Sequence, residues 1–431
     1  MRTLGWVTLP LALSLLSCPA LVVTSLLPML SLDSPLHEQL AQKVTCSAGK
    51  PTRSSDSLFL GSGDEQHILH MEFQFSELTS NQSSFAIRTF DPEGIIFYGD
   101  VGKNNWFVLG IRERKLEVQM NNDNGQMLLS KWGPDISDGK WRKVTVDSGS
   151  NTVEVRVDGE LVVKLIHHVS SQPSAQIPSM LRIILGNLPA GTKDQLIKPI
   201  QPALDGCMRN WAWVKKDAHV LEVALNADEN RRCFEQEEPG TFFPPNGYAV
   251  FKPEVLHTVD IETWGLSIKL LFRVVENGGI LLLLHDGSKV AALTVALDCQ
   301  KKALIVTLEG NLIHSESLPE DVCSGHWEIR EVHIKTNEIQ ANQTKYSVLW
   351  DINPVALKAL KDVWLDPAAQ LFVGGIPDDF TKAGPYFSGC LQVTVQGQAV
   401  SLDSAQYNHP HVRSHSCPQG TEIKPCSGNE P

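Results

Sequence analysis

Two carboxylates flank a proline in the segment Asp91-Pro92-Glu93-Gly94. Proline presets φ at the second position of a turn and glycine tolerates positive φ, so these four residues predict a tight turn. Asp91 and Glu93 then lie close together as hard oxygen groups. Such a pair either holds a cation such as calcium or stands as two solvated turn acids. A little further on, Asn104-Asn105 precedes Trp106-Phe107, setting amides beside large apolar rings. A few polar groups among apolar ones is the composition of a small-molecule pocket. The chain contains no HExxH, no GxSxG and no glycine-rich phosphate loop, so an enzyme has little support beyond the acid pair.

The elements that position these residues read as strands. Phe85, Ile87 and Thr89 alternate with Ser84, Ala86 and Arg88, and the run Ile95 to Tyr98 follows the turn. Leu116, Val118 and Met120 face one way and Glu117 and Gln119 the other, the pattern of a half-buried strand. Val153, Val155 and Val157 repeat it before Asp158-Gly159, a two-residue hairpin turn into Leu161-Val162-Val163. Residues 33–64 are polar and aperiodic and read as a flexible leader.

One unit is used twice. Gly94-Ile95-Ile96 precedes Trp141 by 47 residues, and Gly279-Ile280-Leu281 precedes Trp327 by 48. Trp141 to Gly186 is 45 residues, and Trp327 to Gly374 is 47. Cys207 and Cys390 close the two units, and further cysteines follow 26 residues on at Cys233 and 27 on at Cys417. So long a period predicts tandem domains rather than a solenoid, here 65–233 and 248–417, with a linker over 234–247 and a tail over 418–431. Within the second unit Asn353, Pro354, Ala356, Leu357 and Leu360 have the cap and spacing of one short helix.

Met1-Arg2 and the leucine-rich run to Leu16 lack acidic residues and read as a secretory signal within residues 1–32, with the cut between Ala20 and Leu32 left open. Its removal takes the formal charge from -12 to -13 by deleting Arg2, and an acidic exported chain is no nucleic-acid binder. It also reduces nine cysteines to eight, an even count that argues for disulfides. No CxxC or Cys/His ligand set supports structural zinc.

The segments RTFDPEGIIFYGD, DGKW, LGNLP, LDGCMRNW and SHSCP resemble tandem laminin G-like domains, in the manner of the sex hormone-binding globulin family and of the C-terminal half of vitamin K-dependent protein S. The resemblance spans about residues 65 to 417. It implies an all-β fold of two jelly-roll-type antiparallel sandwiches and a secreted plasma carrier whose first domain encloses a sex steroid, an androgen or an estrogen. Ser83 would bond the ring A oxygen, Asn105 and Asn122 the far end, and Phe107 would pack on the rings, with Val146 and Leu181 in the aliphatic walls. Asn105 departs from the aspartate common in the family, which leaves the ranking of ligands open. The Asp91-Glu93 turn would hold structural calcium with the backbone carbonyl of Ala203. Glu276-Asn277-Gly278-Gly279 has lost most of that site in the second unit, and with Asp123 and no histidine near Leu181 no zinc is expected.

The same resemblance implies disulfides Cys207–Cys233 and Cys390–Cys417. Cys299–Cys323, flanking Leu304-Ile305-Val306, joins them, and Cys46–Cys426 is left by elimination. It further implies a homodimer through the first domain. Asn342-Gln343-Thr344 is a glycosylation sequon, whereas Asn81-Gln82-Ser83 is expected to be little used because Ser83 serves the steroid. The histidines of YNHPHVRSH read as surface residues. The alternative function is an adhesion or receptor-ligand module of the protein S and growth-arrest type, with a cell-surface or matrix partner for the second domain and no steroid.

Overall fold

The structure is a computed structural model describing residues 51–61, 68–102, 105–122, 125–168, 180–214, 220–253, 264–287, 290–335, 347–351, 354–377 and 386–420. The proposed signal, Cys46, Asn353, Asn342, Asp123 and Cys426 lie outside them.

The first half contributes strands β1 (Arg53–Phe59), β2 (Leu69–Gln74), β3 (Gln82–Thr89), β4 (Gly94–Asp100), β5 (Trp106–Arg112), β6 (Lys115–Asn121) and β7 (Met127–Trp132). They continue through β8 (Arg142–Ser148), β9 (Thr152–Val157), β10 (Glu160–Ile166), β11 (Met180–Leu185), β12 (Gly206–Ala212), β13 (Arg232–Phe234) and β14 (Glu237–Pro239). One sheet runs β10-β9-β8-β3-β12-β1-β13 and the other β2-β11-β4-β5-β6-β7. Phe85, Ile87 and Val144 from the first sheet meet Phe97, Val118 and Ile183 from the second in one apolar core. The second half builds a like pair of sheets around Leu266–Asn277 and Ile280–His285, with its own core.

The repeated landmarks have physical reasons. Gly186 and Gly374 both adopt positive φ, at 67° and 83°. Trp141 lies under the guanidinia of Arg88 and Arg209, and Trp327 under that of Arg273, each tryptophan sealing the side of its domain that carries Cys207–Cys233 or Cys390–Cys417. The Cys299–Cys323 disulfide also forms. A short helix α1 (Val220–Ala227) closes the first half, and α2 (Pro354–Trp364) starts on the expected proline and buries Leu357, Leu360 and Trp364.

Several expectations are corrected. The leader is not flexible throughout, since β1 pairs with β12 and β13 and buries Leu58 and Phe59. Two apolar residues after a polar stretch are too short a signal for periodicity to reveal. The β6 strand is buried on both faces. Its outer face is covered by the segment holding Leu196 and Ile200, and Gln119 exchanges hydrogen bonds with the backbone of Lys198 at 2.8 and 3.1 Å. The linker is ordered, because β14 pairs with Ser416–Pro418 of the second half and Glu237 is buried between Arg88 at 3.0 Å and Arg413 at 3.3 Å. Gly94 keeps ordinary φ. It is glycine because a Cβ there would stand 2.8 Å from both the Ala203 carbonyl and Leu204.

Candidate functional site

Strand register gathers the expected ligand residues at one end of the first sandwich. Ser83 is the second residue of β3 and pairs with Val146 on β8, in the seven-stranded sheet. Leu181 is the second residue of β11 in the opposite sheet, paired with Phe73. The pair Trp106↔Asn121 places Asn105 and Asn122 together at the same end of β5 and β6. That end is tied to the other sheet by Asn122 Nδ2, which donates to the His168 carbonyl just beyond β10 at 3.2 Å. Val146, Phe107 and Leu181 pack on the same apolar core.

Phe107 lies 5.5 Å from Phe97 in a stacked arrangement. Phe97 meets Trp213 edge-on at 5.6 Å, and Phe85 stacks on Trp213 at 5.7 Å. These four rings form an aromatic wall linking the two sheets. Trp213 was not singled out by sequence, where it is one of two tryptophans in MRNWAWV with nothing local to mark it as interior. Its Nε1–H is buried with no partner among the described residues.

Polar groups at this end differ in how far they are committed. Ser83 as a residue is 7% exposed, and no hydrogen-bond partner to its hydroxyl occurs among the described residues. Asn122 is preorganised: Nδ2 also donates to Gln126 Oε1 at 3.2 Å, and Oδ1 accepts from the Gln126 N–H at 2.9 Å. Asn105 is half-buried, with its backbone in a loop closed on Val101 and Gly102.

The acid turn sits at the opposite end of β3. Asp91 is 2% exposed; Oδ1 accepts the Glu93 N–H at 3.0 Å and Oδ2 the Asp205 N–H at 2.9 Å. Glu93 Oε1 accepts from Gln201 N at 3.1 Å and meets Arg112 at 3.3 Å. The Ala203 carbonyl abuts Gly94, beside the turn that carries the two acids. Sequence did not reveal His415, whose Nε2 lies 3.4 Å from Asp91 and 3.2 Å from Asp403. It is therefore not the surface residue expected. Asp205 accepts the N–H groups of His415 and Ser416 at 2.7 and 2.9 Å. Burial pushes the Asp91 carboxyl up to about 7, against the pull of His415 and the two backbone donors. Burial lowers His415, but its bond to Asp403 and the nearby carboxylates outweigh that and hold it at about 9. Asp91, Glu93 and the Ala203 carbonyl offer the oxygen atoms a hard divalent cation takes, while Asp91 already accepts two N–H groups, Glu93 pairs with Arg112, and among the described residues neither acid converges with two further acidic or imidazole groups.

Two antiparallel sandwiches in tandem, each closed by a disulfide and a capping tryptophan, define the laminin G class, and the laminin G domain family matches residues 87–219 and 272–398. Human sex hormone-binding globulin is 32% identical over 378 residues, covering 86% of this chain and 89% of its own. Mouse growth arrest-specific protein 6 is 27% identical over 408 residues, and the match covers 89% of this chain but 59% of that longer protein. Among solved structures, domains LG4-5 of the mouse laminin α1 chain superpose with a TM-score of 0.55 at 19% identity, covering 88% of this chain and 98% of that one. The chain belongs to the sex hormone-binding globulin family of tandem laminin G proteins. Laminin G domains are binding modules, and no helix among the described residues is long and apolar enough to cross a membrane.

Proposed function

We propose that the chain is a secreted carrier that encloses a sex steroid at the end of the first sandwich marked by Ser83, Phe107 and Asn122. The observation that supports this most directly is Ser83, a buried residue whose hydroxyl has no partner among the described residues, on the sandwich whose core carries the rings of Phe85, Phe97, Phe107 and Trp213. A steroid is a rigid apolar plate with a polar group at each end. Burying on the order of 400 Å² of it gives roughly 10 kcal/mol before association costs. The end groups discriminate, since an unpaired buried donor or acceptor costs about 1–3 kcal/mol. Ser83 takes the ring A oxygen. Asn122 is held by Gln126 and the His168 carbonyl, so a ligand hydroxyl meets an amide already fixed in orientation. Asn105 adds an amide at that end, and Val146 and Leu181 supply aliphatic wall.

Calcium belongs to this reading as a structural ion held by Asp91, Glu93 and the Ala203 carbonyl, fixing the turn where the first domain meets the second. The working form is a homodimer through the edge strands β7 and β10. The second domain carries the surface for a cell-surface or matrix partner.

The test is saturation binding of radiolabelled dihydrotestosterone and estradiol to the full-length secreted protein with calcium present. Saturable binding that weakens roughly 5- to 100-fold in Asn122→Ala is expected, the range of one lost buried hydrogen bond. No saturable binding of either steroid would sink the carrier reading and leave the receptor-ligand alternative.

A further inference from the structure

Asn81-Gln82-Ser83 is a glycosylation sequence whose third residue is the hydroxyl assigned to the steroid. We propose that Asn81 carries an N-linked oligosaccharide, rooted at the ligand end of the first sandwich, where it slows ligand exchange. The modification rests on export of the chain, and its effect on exchange rests on the carrier reading.

Asn81 is exposed, in a bend immediately before β3. Its amide makes a 3.3 Å bond to the exposed side of Asp147, an interaction that a glycosyl link displaces at little cost. The backbone beneath it is fixed. The Asn81 carbonyl accepts the Ser148 N–H at 2.9 Å, and the N–H groups of Thr79 and Ser80 both donate to the Val214 carbonyl at 3.0 Å. Leu78 packs against the apolar core that includes Trp213. A glycan on Asn81 therefore starts from a held position next to the aromatic wall. Along an extended chain it lies about 7 Å from Ser83.

The burial of Ser83 is no obstacle. Oligosaccharide transfer acts on the nascent chain, before β3 has paired with β8, when the hydroxyl is open to the transferase. In that step the Asn81 Nδ2–C1 bond forms as the C1–oxygen bond to a lipid pyrophosphate donor breaks. The amide proton passes to a base of the transferase and the lipid pyrophosphate leaves. Folding then turns the hydroxyl of Ser83 inward and leaves Asn81 outside. One hydroxyl thus serves two events separated in time, so Ser83→Ala removes both a ligand contact and a modification signal, whereas Asn81→Gln removes only the second.

The full-length chain secreted from animal cells is treated with peptide N-glycosidase in heavy-oxygen water, which converts a glycosylated asparagine to labelled aspartate, and is mapped by mass spectrometry. Label at position 81 in the wild type and in Ser83→Thr, with none in Asn81→Gln, is the expected result. An unlabelled Asn81 in the secreted protein overturns the proposal. Radiolabelled dihydrotestosterone should dissociate several-fold faster from Asn81→Gln than from the glycosylated protein. Equal rates overturn the effect on exchange. Steroid binding absent from both forms, with label still at position 81, overturns the carrier reading and supports the modification site alone.

Discussion

Asp91 shows how one side chain can serve a turn and a domain contact together. Its oxygens take the N–H groups of Glu93 and Asp205, and the His415 imidazole reaches it from the second half. A buried carboxylate of this kind is costly unless positive charge is near. Calcium bound only by the folded state should therefore raise stability, by about 2.7 kcal/mol at a concentration 100 times its dissociation constant. The expected outcome is a higher thermal midpoint in calcium than in EDTA for the wild type, and no difference for Asp91→Asn, by differential scanning calorimetry. A wild-type midpoint indifferent to calcium would remove the ion from this account. At the ligand end, Asn105 keeps donor and acceptor capacity but lacks the charge of the family's aspartate. Androgen and estrogen affinities measured side by side on Asn105→Asp are the means of ranking the ligands.

The strands were the most readable elements, because a residue's face follows from its parity. Phe85, Ile87, Val153, Val155 and Val157 point inward as alternation predicts. Asp158-Gly159 makes the hairpin with φ of 51° and 94°. What remained hidden depends on chain segments far apart in sequence. Glu117 looks like a solvent-facing residue until Arg112 pairs with it at 2.7 Å beneath Lys198 and Pro199. His415 gives no local sign that its backbone will bond to Asp205, 210 residues away. For the candidate site, the turn acids stood out in the sequence, Ser83 and Asn122 were proposed through resemblance, and Trp213 carried no local mark of its place in the core. The repeated glycines carry a prediction at this scale. A Cβ on Gly186 would fall 2.4 Å from the Leu60 carbonyl oxygen, and one on Gly374 2.2 Å from the Phe243 ring, both at positive φ. Alanine at either should cost about 3 kcal/mol, from strained backbone and overpacking together. Chemical denaturation of each variant reads this directly, and a loss below about 0.5 kcal/mol, the range of neutral surface changes, would show that the glycine is incidental.

At the scale of the whole molecule the first sandwich has two distinct ends to its strand order. Beyond β13, β14 pairs with the second half, and Arg413 from that half is buried over Phe59 and Phe234 at 4.0 and 4.5 Å. This edge is closed. At the other, β10 ends one sheet and β7 ends the other. Neither has a further strand hydrogen-bonded to it among the described residues, and the two lie against each other across the sandwich. An edge left open in this way exposes unpaired backbone groups and is normally blunted by charge, proline or a bulge. Here β10 has a register shift between Leu161 and Val163 and the edge carries Lys131 and Lys164, yet Met127, Leu129, Trp132, Leu161 and Ile166 are exposed apolar side chains beside them, with Trp132 71% exposed. The combination suits pairing with the same edge of a second copy, since a two-fold interface requires one surface to complement itself. It also lies away from the seam with the second domain, so pairing there leaves the interdomain contacts intact. The wild-type protein at micromolar concentration should sediment as a dimer, and the double variant Leu129→Lys with Ile166→Lys as a folded monomer, because like charges would then face each other across the axis. A wild-type monomer under the same conditions, with calcium and steroid present, would exclude this edge as a self-association surface.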